Sequence, residues 1–180
     1  MIRSAAQFGF LVSIALPALL CAKGDTVLIE IQGGSLRAPI RATDPAIEQF
    51  NVWDGMMGVN GAVLENATGF IIDWHAGIVT KPPARLPQYQ VSFYAGCRGG
   101  SNEPGCAGEK PHLAYVVSYD WDPSSGQGFV YLPGSGDPRW QRNVTSIYRS
   151  VEGHWFRASD AWDHFVKPLI AKSENPRPSR

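Results

Sequence analysis

The chain has 180 residues, with 16 Lys and Arg against 16 Asp and Glu, and so no formal net charge at pH 7. Its 44% of hydrophobic residues is the content of a folded domain, not of a disordered tail. The balance argues against nucleic acid as a partner, because phosphate binding needs concentrated positive charge; the nearest thing to a basic run, Arg139, Arg142 and Arg149 around Trp140, is expected to be a solvated face.

Met1, Ile2 and Arg3 precede a mostly apolar run from Phe8 to Leu20, and the small residue Ala22 follows. A positive start, a short apolar stretch and a small residue are the order of a signal peptide. The run is shorter than the roughly 20 apolar residues a membrane span needs, and Pro17 interrupts it. Residues 1–22 are therefore read as a cleaved signal peptide, which places the product in the periplasm or outside the cell. The alternative is lipid attachment at Cys21, although Leu20 stands where such signals carry a small residue. Cleavage leaves 158 residues with a formal charge of −1, a length that suits one domain. The expected plan is a globular domain over 23–171 and a disordered tail over 172–180, with no transmembrane segment in the mature chain.

Thr26 to Gln32 alternates as a strand, Gly33-Gly34 turns, and Leu36 to Ala42 reads as the return strand, with Pro39 favouring an edge. Asp44-Pro45 has the form of a helix start and predicts a two-turn helix ending near Phe50. Residues 54–62 read as a loop, Gly69 to His75 as a strand, 81–87 as an extended linker, and Gln88 to Tyr94 as another strand. Leu113 to Trp121 sets Tyr115, Val117, Tyr119 and Trp121 on one side; the turn Asp122–Gly126 and the return Gln127 to Leu132 complete a hairpin. Residues 140–151 predict a short helical turn and then a strand. Ser159 caps a last helix whose apolar face holds Trp162, Phe165, Val166 and Leu169, with Pro168 expected to kink or shorten it. The fold class is α+β: a mainly antiparallel sheet with a short helix in the N-terminal half and a C-terminal helix packed on the sheet.

Cys97 and Cys106 are the only cysteines left after cleavage, and they flank a segment with little capacity to pack. In an oxidising compartment they are expected to form a disulfide. The four histidines, His75, His112, His154 and His164, have no metal-binding spacing. Asp160 and His164 are one helical turn apart, and Asp120 lies beside Trp121 and Asp122 at the hairpin end. His154, Asp160, His164 and Asp120 are thus the candidates for an acid–base or metal site, against the plainer reading of dispersed surface histidines and turn aspartates. Neither a Gly-x-Ser-x-Gly elbow nor a Ser-x-x-Lys pair occurs. Trp53 and Trp140 stand in loop-like segments, unlike the core-facing Trp74, Trp121 and Trp162, and are the binding candidates. The sequons at Asn66 and Asn143 would matter only in a eukaryotic secretory pathway, and the signal peptide reads as bacterial.

Three stretches, Phe50-Asn51-Val52-Trp53-Asp54-Gly55, Gly128-Phe129-Val130-Tyr131-Leu132-Pro133-Gly134 and Val151-Glu152-Gly153-His154-Trp155-Phe156-Arg157-Ala158, resemble an uncharacterised family of small bacterial exported proteins with no known activity. The resemblance implies a bacterial origin and a single domain, and it carries no functional residue with it. The expected function is a non-catalytic envelope domain that binds a partner or small ligand, without a cofactor. The alternative is a small periplasmic hydrolase with a His/Asp site, with or without a metal. An enzyme requires at least two of these histidines and aspartates within hydrogen-bond reach in a cleft. A binding surface requires an exposed apolar patch near Trp53 or Trp140.

Overall fold

The computed structural model describes residues 24–43, 45–54, 70–80, 82, 85–97, 110–144 and 147–174. The expected signal peptide, Cys21, Asp44, the Asn66 sequon, Cys106 and the tail beyond 174 lie outside them.

Among these residues, seven strands form one antiparallel sheet: β1 (Thr26–Gly33), β2 (Ile40–Ala42), β3 (Ile78–Val79), β4 (Gln88–Ala95), β5 (His112–Trp121), β6 (Gly128–Tyr131) and β7 (Trp155–Arg157). Their order across the sheet is β2-β1-β4-β5-β6-β7-β3. Among the described residues one α-helix, α1 (Asp160–Glu174), follows β7 and packs on one face.

The alternation read from the sequence decides which face that is. Registers Ile29↔Phe93, Ile31↔Val91, Phe93↔Tyr115, Val91↔Val117 and Tyr89↔Tyr119 put these residues on one surface. Val130 and Phe156 extend it through β6 and β7. All of them are buried, and we call this the inner face. Trp162, Val166 and Ile170, one turn apart on α1, press onto it and are fully buried. The Trp162 indole meets Phe50 edge-on at 5.2 Å and Tyr119 edge-on at 6.0 Å, with Phe93 and Phe165 tilted against it at 6.2 and 5.8 Å. Edge-to-face packing adds about 0.5–1.5 kcal/mol per pair beyond the area removed from water.

One carboxylate fixes the helix on the sheet. Asp163 Oδ1 accepts from the Tyr119 hydroxyl at 2.9 Å, and Oδ2 accepts from the Gly128 amide at 3.0 Å and from Lys167 Nζ at 2.6 Å. A buried carboxylate is tolerable only with such partners. The same contact explains Gly128 at the start of β6, because a β-carbon there would collide with Asp163 Oδ1 and the Tyr119 ring.

Several expectations need correction. The helix expected after Asp44 is a five-residue 3-10 turn, Pro45–Gln49, that buries only Ile47; one short turn cannot offset the cost of helix nucleation. The strand expected over Gly69 to His75 is reduced to the isolated bridge Ile72↔Ala158. Asp73 interrupts it: its Oδ1 accepts from His75 N and Ala76 N and caps the 3-10 turn Trp74–Ala76. The return strand after Gly33-Gly34 is only the three residues of β2, after Pro39.

Residues 140–142 do form a helical turn, but no strand follows among the described residues up to 151. Instead, the buried Asn143 side chain takes the place of a neighbouring strand: Oδ1 accepts from Val116 N at 2.8 Å and Nδ2 donates to Val116 O at 3.3 Å. Val144 N donates to Ala114 O beside it. An amide has one acceptor and two donors in the geometry of a peptide group, so it can satisfy a bare sheet edge. Pro168 does not end α1, which continues to Glu174 through the first residues of the expected tail. The chain segment after Glu152 adds β7, a strand the sequence reading missed.

Candidate functional site

The sheet has a second, outer face, and its side chains follow from the same registers. Gln32↔Gln90, Gln90↔Ser118, Ser118↔Tyr131 and Tyr131↔Trp155 form one row across β1, β4, β5, β6 and β7. Two residues along the strands, Gln88↔Asp120 and Asp120↔Phe129 form part of the next row. A concavity of about 530 Å³ opens over the polar half, lined by Gln32, Gly33, Gln88, Gln90, Ser118 and Arg139.

Arg139 is held in place before any ligand arrives. Asp137 Oδ1 accepts from its backbone N at 2.8 Å and from Nε at 2.9 Å, and Oδ2 accepts from Nη2 at 2.6 Å. Nη1 donates to Ser118 Oγ, and the guanidinium carbon lies 5.7 Å from the Tyr131 ring centre. A forked ion pair of this kind fixes direction as well as charge. Hydrogen bonding from Arg139 holds the Asp137 carboxyl below its ordinary range. On the aromatic half, the rings of Tyr131 and Trp155 are half-buried and lie 5.1 Å apart at a 39° tilt.

Asp120 is the most perturbed carboxyl on this face. It is 8% exposed, and its Oδ1 has no hydrogen-bond partner. Burial pushes its pKa up to about 6, opposed by a hydrogen bond with Gln88 and by the charge of Arg139. Asp122, two residues on, plays a different part: it accepts from Ser124 N, Ser124 Oγ and Ser125 Oγ in the hairpin turn, which draws its carboxyl down to about 2. The two aspartates are therefore separated in role by their surroundings.

A larger cleft, about 620 Å³, lies between the 3-10 turns and the start of α1. Its lining includes Asp54, Phe70, Trp74, His75 and Asp160. His75 and Asp160 are both exposed there, with no hydrogen bond between them. Asp160 and His164 also share a smaller hollow of about 280 Å³ beside the hairpin turn, where the imidazole meets the Asp160 backbone carbonyl and not its carboxylate, and His154 lies apart from both. His154 Nδ1 lies 3.2 Å from Val151 O, and His164 Nδ1 lies 2.8 Å from Asp160 O. Asp120 belongs to the outer face. No group of three or more His, Cys, Asp and Glu side chains among the described residues could hold a metal ion.

Trp53 is half-buried against the core and donates from Nε1 to Gly24 O at 2.8 Å. Trp140 is half-buried, stacked on Tyr148 at 3.9 Å and 20°. The exposed large hydrophobic residues, among those described, are Val27 and Ile78, so neither tryptophan opens onto a broad apolar patch. No helix among the described residues is long and apolar enough to cross a membrane.

Arg149 was expected on a solvated face with Arg139 and Arg142, and it is buried instead. It donates to Ile147 O and Val52 O, and its guanidinium carbon lies 4.5 Å from the Phe70 ring centre and 5.1 Å from that of Tyr115. It ties the 52–54 segment to the chain before β7. Burial lowers its pKa from the usual arginine value.

The outer row was missed in the sequence, although a signal was present. Gln88, Gln90 and Ser92 alternate with the buried Tyr89, Val91 and Phe93, and Ser118 and Asp120 alternate with Val117 and Tyr119. No family model matches the chain, and neither a curated protein nor a solved structure matches it.

Proposed function

We propose that this is an exported, non-catalytic domain that binds a ligand on the outer face of its sheet. The observation that carries the reading is Arg139, clamped by Asp137 over Ser118 at the edge of the 530 Å³ concavity. A charged side chain fixed in one rotamer next to a concave polar surface has little entropy left to lose on binding. Strands supply the rest of the surface, and sites on strands are held more rigidly than sites on loops.

Export rests on the order of residues 1–22 and on the pairing of Cys97 with Cys106, which would staple the segment after β4 in an oxidising compartment. The envelope is the proposed location, as a periplasmic or secreted product. A thermal-shift screen of the purified full chain tests the binding reading, since a ligand that favours the native state raises the melting temperature. Hits should lose their effect in Arg139→Ala. A screen whose hits all survive Arg139→Ala sinks the reading.

A hydrolase centred on the larger cleft is the second reading, favoured by one observation: His75 and Asp160 both line it. A hydrolytic activity abolished by His75→Ala and Asp160→Asn, and untouched by Arg139→Ala, would select this reading over the first.

A further inference from the structure

The outer row is uniform in charge and mixed in chemistry. Gln32 and Gln90 present two amides, each able to donate and to accept, and between them and the aromatic pair the buried Ser118 hydroxyl holds the Arg139 guanidinium over the row. Tyr131 and Trp155 continue the row with half-buried aromatic rings. Among the described residues that line the concavity, Arg139, paired with Asp137, carries the formal charge, and Asp120 and Arg157 stand in the next row of the same face. Five strands about 4.8 Å apart make the row about 19 Å long from Gln32 to Trp155.

We propose that this row binds a neutral oligosaccharide, lying across β1, β4, β5, β6 and β7. The inference rests on the reading above that the outer face is the binding site, and adds the class of ligand. A sugar ring has hydroxyls at its rim and a C–H face. Hydroxyls exchange hydrogen bonds with amide and hydroxyl side chains, while C–H faces pack on aromatic rings. The row offers the first chemistry at one end and the second at the other.

Its length exceeds a single ring, which selects an oligomer. Charge selects a neutral one. An anionic glycan would meet the Asp120 carboxylate and an Arg139 whose charge is already balanced by Asp137, leaving Arg139 two N–H groups that suit a neutral hydroxyl. A cationic one would face Arg139. Asp120 stands opposite Gln88 and outside the residues that line the concavity, with its Oδ1 buried and without a partner.

The test uses the full chain, labelled with 15N, and four neutral probes: cellohexaose, xylohexaose, maltohexaose and chitohexaose. At least one is expected to shift amide signals of β1, β4, β5, β6 and β7, along with the side-chain amide of Gln90. Trp155→Ala and Gln90→Ala should each weaken that binding about tenfold, a difference of about 1.4 kcal/mol. Gln90 is outside the core, so its variant still tests the idea if loss of Trp155 impairs folding. Galacturonic acid hexamer, the anionic control, should bind more weakly than the best neutral probe.

If all four neutral probes leave the row unshifted while a non-sugar hit from the thermal screen shifts it, the sugar inference falls and the binding face stands. If no compound shifts the row, both fall. Sugar binding that shifts the larger cleft instead, and is insensitive to Gln90→Ala, also overturns the inference.

Discussion

Replacing Asp120 by Asn should make the protein more stable at neutral pH. The Asp120 carboxyl titrates at about 6 in the folded chain, against 3.8 for an ordinary aspartate, with burial as the main cause. Below about pH 4 the group is protonated in both states and the folded chain suffers no penalty. As pH rises through the window from 4 to 6, the unfolded chain ionises first and the folded chain resists, so stability falls. Above about pH 6 the penalty is complete. A displacement of this size is worth about 3 kcal/mol on its own; local relaxation and water penetration around the carboxyl, together with the opposing charge of Arg139, reduce the expected effect to about 1–2 kcal/mol. Asparagine keeps the shape and removes the charge. Urea unfolding at pH 4 and pH 7.5 should therefore give near-equal stabilities at pH 4 and a gain of about 1–2 kcal/mol for Asp120→Asn at pH 7.5, equivalent to roughly 2–8 °C in melting temperature for a domain of this size. Comparing variant with parent at each pH cancels the other titrating groups, Asp122 among them. A pH-independent difference, or a loss of stability at pH 7.5, would refute the reasoning.

Asp163→Ala should destabilise by about 3 kcal/mol in urea unfolding, because it strands the Tyr119 hydroxyl and the Gly128 amide in a buried place and unpairs Lys167. Asn143→Ala should lose about 2 kcal/mol by baring the Val116 amide and carbonyl, and amide exchange at Val116 should accelerate with it. Arg149→Met keeps much of the volume yet frees the carbonyls of Val52 and Ile147; a loss of about 2–4 kcal/mol is expected, and an unchanged unfolding midpoint would mean these contacts are dispensable. In the natively exported protein, a thiol-alkylating reagent should label neither Cys97 nor Cys106 without prior reduction, whereas two labelled thiols would end the disulfide proposal.

The inner face was legible in the sequence because it depends only on alternation within a strand. Tyr115, Val117 and Tyr119 share a face whatever strand lies beside them, and Trp162 and Val166 share a helix face for the same local reason. What failed to read depends on partners distant in sequence. Ile71 and Ile72 have strand composition, but Asp73 caps a 3-10 turn directly after them and ends the extended stretch. Asn143 reads as a turn residue, and only the bare edge of β5 beyond β6 gives its amide a use. Arg149 reads as a surface cation, because nothing local announces that Phe70 and Tyr115 will enclose it. The candidate site is the extreme case: Gln32, Gln90, Ser118, Tyr131 and Trp155 come from five strands, and a register slip of one residue on any strand would remove its member from the row.

Sheet stability alone does not account for this composition. β-branched residues would suit the pleated positions of Gln32, Gln90 and Ser118 better, and aspartate is disfavoured within strands. Solubility does not account for it either. A face selected for solvation carries lysine and glutamate of both signs, whereas the five residues of the row from Gln32 to Trp155 include no charged side chain. Asp120, beside the row, remains buried at a cost to stability that Asn would relieve. Residues that oppose folding stability tend to mark a function that needs them. The pH 7.5 gain expected for Asp120→Asn thus has a second consequence: if the Asp120 charge beside the row serves binding through Gln88 and Arg139, the stabilised variant should bind its sugar more weakly than the parent, so stability and affinity should move in opposite directions at this one residue.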